Sequence, residues 1–274
     1  MEEMTIEEVH SVLLEMLKHI HQFCMDNGIN YSLSGGTLLG AIRHNGFIPW
    51  DNDADIQMLR PDYEKFVNIY PRDGKYSFYS VDKNRGYKVF TYAGLLYDEK
   101  ITYLDQGPAP RINKDVGIWI DIIPVDGAPS DIDEAKSYIR KRKLGYLLIR
   151  CMQARLAPWS IFLRYRSIRK GVAFLAGKLL GYLIPYSYMN YYIKLCQKYN
   201  IEDSDYIVAS DHYGLKEWQP KSIMAQFINH KFEDTELSIM ADYDSNLKYL
   251  YGDYMKLPSE GKRNNHSNVK FYWK

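Results

Sequence analysis

Gly35 and Gly36, and the acidic run Trp50-Asp51-Asn52-Asp53-Ala54-Asp55, are the residues of this chain best suited to chemistry. Backbone amides in a tight turn before a helix hold phosphate, because the N–H groups and the helix dipole both favour anions. Alternate residues of a strand share a face, so Asp51, Asp53 and Asp55 are expected to project to one side. Three carboxylates packed together repel one another unless a cation neutralises them. A set of oxygen ligands suits Mg²⁺ or Mn²⁺, ions that keep waters and bind substrate phosphates. The pattern therefore points to metal-assisted chemistry on a phosphate. A solvated acidic turn is the plainer alternative, but Ile48-Pro49-Trp50 precedes the run and Ile56-Gln57-Met58 follows it, so its flanks are buriable.

A second carboxylate, Asp121, sits inside the apolar run Ile118-Trp119-Ile120-Asp121-Ile122-Ile123. Burying it without compensation is costly, and metal coordination is one way to compensate it. Backbone amides at a strand end are the other.

The segment SGGTLLGAIRHNGFIPWDNDADIQM resembles the signature of the LicD family, which also includes the fukutin-related proteins. IWIDIIPVDG (118–127) and YGDYMKLPSEGKRNNH (251–266) agree with it, whereas residues 128–205 carry no matching motif. The resemblance implies an α/β (α+β) fold of nucleotidyltransferase type, a mixed sheet with flanking helices. It implies that Asp53 and Asp55 are paired metal ligands and that Asp121 is a third carboxylate on a neighbouring strand. Ser34, Gly35 and Gly36 fall at the family's donor-phosphate turn. Arg43 is expected at donor phosphate or in an ion pair with Asp51, and Lys262, Arg263 and His266 close over the donor or form a solvated basic tail. The family often has a third Asp where this chain has Asn52, a side chain expected on the face opposite Asp51 and Asp53. The implied reaction moves phosphocholine, or a related polyol phosphate, from a CDP-activated donor to a hydroxyl of a surface glycan or its lipid-linked precursor, releasing CMP. Nucleotidyl transfer with pyrophosphate release, a metal-dependent glycosyltransferase and a non-catalytic membrane-docking protein are the alternatives.

The elements that must position these residues follow from periodicity. Thr5 and Glu8 form a capping box before a stripe of Ile6, Val9, Leu13, Met16, Leu17, Ile20 and Phe23, a helix stopping near Gly28. Tyr31 to Ser34 is expected as a strand feeding the glycine turn, Thr37 to His44 as a helix, and Asp53 to Met58 as the next strand. Pro61 suits the first turn of a helix reaching about Tyr70. Short strands are expected between Tyr76 and Thr102 and over Gly117 to Pro124. A helix over Asp242 to Tyr251 should close at Gly252.

Composition sets the frame. With 274 residues, 46% hydrophobic and 25% charged, the chain is expected to form a single catalytic domain over 1–274, with 131–200 a basic amphipathic helical insertion. Cys24, Cys151 and Cys196 match no zinc or disulfide spacing and fit a reducing compartment. The first residues, MEEMTIEEVH, lack the basic and apolar regions of a secretory signal, and no apolar run is long enough for a transmembrane helix. A cytoplasmic location is expected. The net charge of +1 hides an asymmetry: Lys136 to Ile201 contains fourteen Lys or Arg and no Asp or Glu, leaving a formal −13 on the remainder. Basic residues among Trp, Phe and Leu mark helices that lie in a membrane interface, where anionic lipids add about 1 kcal/mol per basic residue. The expectation is peripheral contact of 136–200 with the inner membrane face; an insertion packed on the core is the alternative. No nucleic-acid motif accompanies the charge.

Overall fold

In the computed structural model the acidic run ends at the start of a strand, and that strand lies beside the one carrying Asp121. The structure describes residues 2–71, 74–80, 93–98, 100–105, 117–156, 159, 167–209, 213–259, 261, 263 and 269–274. Strands β1 (Ser32–Leu33), β2 (Asp55–Leu59), β3 (Ser77–Tyr79), β4 (Gly94–Tyr97) and β6 (Trp119–Ala128) form one mixed sheet in the order β1-β2-β6-β4-β3. β2 runs parallel to β6 with Asp55 opposite Asp121; β1, β3 and β4 pair antiparallel with their neighbours. β6 is long enough to do more. Its last residues, Asp126 to Ala128, pair with β7 (Tyr206–Val208), which continues to β8 (Gln219–Pro220). Beside this sheet stand a hairpin of β9 (Phe227–Phe232) and β10 (Thr235–Met240), and a pair of β5 (Thr102–Asp105) with β11 (Lys270–Trp273).

Helices cover the sheet for readable reasons. α1 (Ile6–Asp26) begins at the capping box, with Glu8 N donating to Thr5 Oγ1 at 3.3 Å and Thr5 N to a Glu8 carboxylate oxygen at 2.8 Å. Its stripe of Val9, Leu13, Met16, Leu17, Ile20 and Cys24 is buried in the main core. α2 (Gly35–His44) stops at Asn45, which takes the left-handed conformation open to Asn. α3 (Arg60–Ile69) has Pro61 in its first turn, and α7 (Tyr243–Tyr251) closes at Gly252. The sequence placed all four within a residue or two. The hairpin gives no such warning, because its turn, Glu233-Asp234, lacks the glycine that marks tight hairpins.

Between the paired strands β6 and β7 the chain makes α4 (Ile132–Leu156), α5 (Ile168–Leu183) and α6 (Tyr188–Cys196). These helices carry a small core of their own, built on Ile149, Met152, Ile184, Met189, Tyr192 and Cys196. Two cations tie their ends together. Lys178 Nζ donates to the carbonyls of Ala154 and Arg155 at the end of α4, at 3.2 and 2.8 Å. Arg155 in turn donates to the carbonyls of Gly181 and Ile184 at 3.3 and 3.4 Å. The last carbonyls of a helix lack partners within it, and cations are favoured there.

Candidate active site

One cavity of about 680 Å³ gathers the glycine pair and the carboxylates. Its size is within the range that holds small-molecule ligands. Asp51, Asp53, Asp55 and Asp121 all line it, with Ser34, Gly35, Gly36 and Arg43. The residues on which the sequence pointed to phosphate chemistry are therefore neighbours in space.

Two local corrections apply. The glycine pair is not a turn preceding the helix but the first turn of α2 itself, with Ser34 at its N-cap. Asp53 does not belong to the strand, which starts at Asp55; Asp51 to Ala54 form the loop leading into it. The reason is pairing. Asp55 N donates to Thr37 Oγ1 at 2.9 Å and Ser34 N to the Asp55 carbonyl at 3.0 Å, so the start of β2 is fastened to the start of α2. The loop before it is held from the other side: Asp121 N donates to the Ala54 carbonyl at 3.1 Å. His10 of α1, stacked on Phe47, lies 2.6 Å from the Asp51 carbonyl through Nε2.

The Ser34 side chain makes no capping bond to α2, and Ser34, Gly35 and Gly36 line the cavity, so the positive end of the dipole of this ten-residue helix lies at its wall. The two glycines make room there. Gly35 has φ +52°, and a side chain on Gly36 would sit 2.8 Å from an Asp51 carboxylate oxygen. Asn52 is buried and is not among the residues lining the cavity; its amide donates to the Val269 carbonyl at 3.5 Å. Because Asn52 lies in the loop before β2, strand alternation is not what sets its direction.

Electrostatics sharpen the picture. Burial pushes the Asp51 carboxyl above its ordinary range, against hydrogen bonds to Asp53 and the Asn52 amide that lower it. Trp119 Nε1 donates to Asp121 Oδ2 at 3.1 Å. Tyr213 and Tyr251 stand over the acidic end, their hydroxyls 3.2 Å apart and their rings nearly perpendicular. Burial raises the pKa of both phenols, and the charge on Asp55 adds to it. The cavity wall also carries positive charge, at Arg43. Arg43 donates to His44 Nε2 at 3.0 Å and to the Tyr254 carbonyl at 3.1 Å, and makes no ion pair with Asp51. Burial and then the nearby charge of Arg263 lower its pKa. Arg263 lies over the Trp50 ring at 5.5 Å. Lys262 and His266, the other C-terminal candidates, lie outside the described residues.

Among the described residues no three His, Cys, Asp or Glu side chains stand close enough to form a ready-made metal cage. The donor set at the acidic end is nonetheless all carboxylate oxygen, which fits Mg²⁺ or Mn²⁺ in type. The sequence did not single out several further cavity residues: Gln57, Tyr213, Glu217, Gln219, Asn246 and Tyr251. Gln57 was within reach, being two residues from Asp55 on the same strand face. Asn246 carries a signal only folding reveals. Its Nδ2 donates to Gln219 Oε1 at 2.8 Å, while its buried Oδ1 meets no hydrogen-bond donor among the described residues. Such an orphan acceptor in a cavity wall suits a ligand donor.

Residues 28–99, which include the glycine pair and the acidic run, match the family model described as LicD/FKTN/FKRP, nucleotidyltransferase domain. The chain is 30% identical to the lipopolysaccharide cholinephosphotransferase LicD of Haemophilus influenzae over 282 residues, covering 99% of each. Shorter stretches resemble uncharacterized proteins of Rickettsia typhi, 42% identical over 22% of this chain and 19% of that protein, and Rickettsia prowazekii, 36% over 28% and 29%. With the matched residues lining one cavity and the likeness running the full length of the Haemophilus protein, the chain belongs to the LicD family.

Proposed function

We propose that this protein transfers phosphocholine from CDP-choline to a hydroxyl of a cell-surface glycan or its lipid-linked precursor, releasing CMP. The observation that carries the reading is the convergence of Asp51, Asp53, Asp55 and Asp121 on the cavity that is also lined by Ser34, Gly35 and Gly36 at the start of α2. The full-length relative named as a lipopolysaccharide cholinephosphotransferase supports the choice of group and acceptor.

In this reading the amides at the start of α2 hold the donor's pyrophosphate, and the absence of side chains at Gly35 and Gly36 lets the backbone approach it. Asp53, Asp55 and Asp121 are the residues that would hold Mg²⁺ or Mn²⁺. When bound, the ion supplies charge neutralisation at the phosphoryl oxygens. Arg43 and Arg263 balance the charge of the departing CMP. The acceptor oxygen forms the new bond to the choline-bearing phosphorus as the bridging P–O bond to CMP breaks. The hydroxyl proton passes to a carboxylate of the acidic end. Positioning and electrostatics supply most of the rate in phosphoryl transfer, which suits a site built of fixed charges. The cationic head group is drawn by the tyrosine faces of the wall, Tyr213 and Tyr251 among them.

The test is release of CMP from CDP-choline in the presence of a membrane-derived glycan acceptor, with and without Mg²⁺. Acceptor-dependent release should fall roughly a hundredfold or more in Asp53→Ala, the scale of losing one charge-stabilising group. CMP release from CDP-ribitol or CDP-glycerol instead would replace the head group and keep the reaction. Pyrophosphate release from a nucleoside triphosphate, with none of these, would overturn it in favour of nucleotidyl transfer.

A further inference from the structure

α5 is built the wrong way round for a helix of a water-soluble surface. The residues it buries are Gly171, Phe174, Lys178 and Gly181. Two of these are glycines, because α4 comes very close: a side chain on Gly181 would collide with the Cys151 carbonyl. The outward side carries Ile168, Val172, Leu179 and Leu183, whose exposures are 86%, 57%, 61% and 80%. At 3.6 residues per turn these four fall within an arc of roughly 60°, opposite the buried residues. They form one stripe. Burial of apolar side chains drives folding, so a stripe of large aliphatic residues left in water along a whole helix asks for a partner.

Charge identifies which partner. α5 contains Arg169, Lys170 and Lys178 and no acidic residue, and Arg169 and Lys170 are exposed at its start. Exposed Arg140, Lys141, Lys143 and Arg150 on α4 belong to the same acid-free stretch from Lys136 to Ile201. A second copy docking through this stripe would bring two such stretches together, and like charges disfavour it. An anionic bilayer meets both features at once, taking the aliphatic stripe into its interface and the guanidinium and ammonium groups to its phosphates. Among the described residues no helix is long and apolar enough to cross a membrane, so the helix would lie in the surface plane.

We propose that the outward face of α5 docks this protein on an anionic lipid surface. The same helical segment supplies Tyr146 of α4 and Tyr192 of α6 to the cavity wall, so docking presents the cavity close to the bilayer. A lipid-linked acceptor, under the function proposed above, would then reach the acidic end without leaving the membrane. The docking itself stands without that reading.

Sedimentation with vesicles separates the outcomes. The full chain should bind equimolar phosphatidylglycerol and phosphatidylcholine vesicles, and should not bind phosphatidylcholine alone. The double variant Leu179→Gln, Leu183→Gln should lose roughly tenfold or more in binding, while CMP release with a soluble acceptor stays at the wild-type level. Both leucines are exposed, so an unchanged thermal melt verifies folding, and Ile168→Gln with Val172→Gln provides an independent variant. Absence of vesicle binding by the wild type, or equal binding by both double variants, overturns the proposal. A concentration-dependent dimer abolished by the same substitutions would overturn it in favour of a second copy. Loss of CMP release from CDP-choline in the wild type, with vesicle binding intact, would defeat the proposed reaction and leave the docking face standing.

Discussion

Around the sheet, the large aliphatic residues of α1, β2 and β6 face inward, and the buried guanidinium of Arg60 meets the carboxylate of Asp126 through two bonds of 2.7 and 3.1 Å. In the helical segment of α4 to α6 the pattern is reversed. Leucines of α5 face outward, and the cations Lys178 and Arg155 are held by the carbonyl ends of neighbouring helices. The difference follows from composition, since the stretch from Lys136 to Ile201 has no carboxylate to offer its own cations. A helix end is then the available anion. The two regions are thus stabilised differently: one by a continuous core with a fully paired ion bridge, the other by a small core and reciprocal capping.

The largest effect that would expose this contrast is on the ion bridge. Asp126→Ala leaves the Arg60 guanidinium buried without that carboxylate and should cost about 3–5 kcal/mol of unfolding free energy in urea titration. Replacing the two residues together, Arg60→Met with Asp126→Leu, should recover much of the loss, because both charges go at once. If the single variant were neutral, the bridge would not be what distinguishes the sheet region.

Gly181→Ala probes the other region. The added methyl meets the Cys151 carbonyl, and overpacking of this sort costs about 1–3 kcal/mol. Hydrogen exchange should quicken in α4 to α6 while β2 and β6 keep their protection. Equal loss in both would mean that the two regions unfold as one unit.

The smallest effect is a pH dependence of the sheet side. Partial burial lowers the pKa of His21 below 6.5, where its Nδ1 lies 2.9 Å from the Tyr31 hydroxyl. The unfolded chain takes up the proton first on acidification. The stability from the neutral ring is therefore present above pH 6.5 and lost as pH falls through the lowered value. Thermal melts from pH 7.5 downward should show this slope, and His21→Gln should reduce it.

Much of the site could be read before folding because its residues are clustered in the chain. Gly35, Gly36, Asp51, Asp53 and Asp55 lie within 21 positions and line one cavity, although only Asp55 belongs to the strand, so closeness in the chain rather than a strand period of two brings the three carboxylates together. Asp121 was legible through the cost of placing a carboxylate in an apolar strand. The strand's true start at Asp55 was not, because it depends on Thr37 and Ser34 bonding to the Asp55 backbone across a turn. Tyr213, Glu217 and Asn246 were invisible for a related reason. Nothing local distinguishes a cavity tyrosine among 25 tyrosines.

What the sequence determined by itself is therefore whatever short-range physics fixes: the capped helix α1, the proline start of α3, the acidic run, and the sign of the charge from Lys136 to Ile201. Only the tertiary structure decided what those pieces face. Asp55 stands opposite Asp121 because two strands distant in the chain pair in parallel. The apolar residues of α5 point outward because two glycines and a capping lysine occupy the side that packs on α4. Periodicity reports that a helix has two faces, but which one is buried depends on the neighbour that folding brings against it.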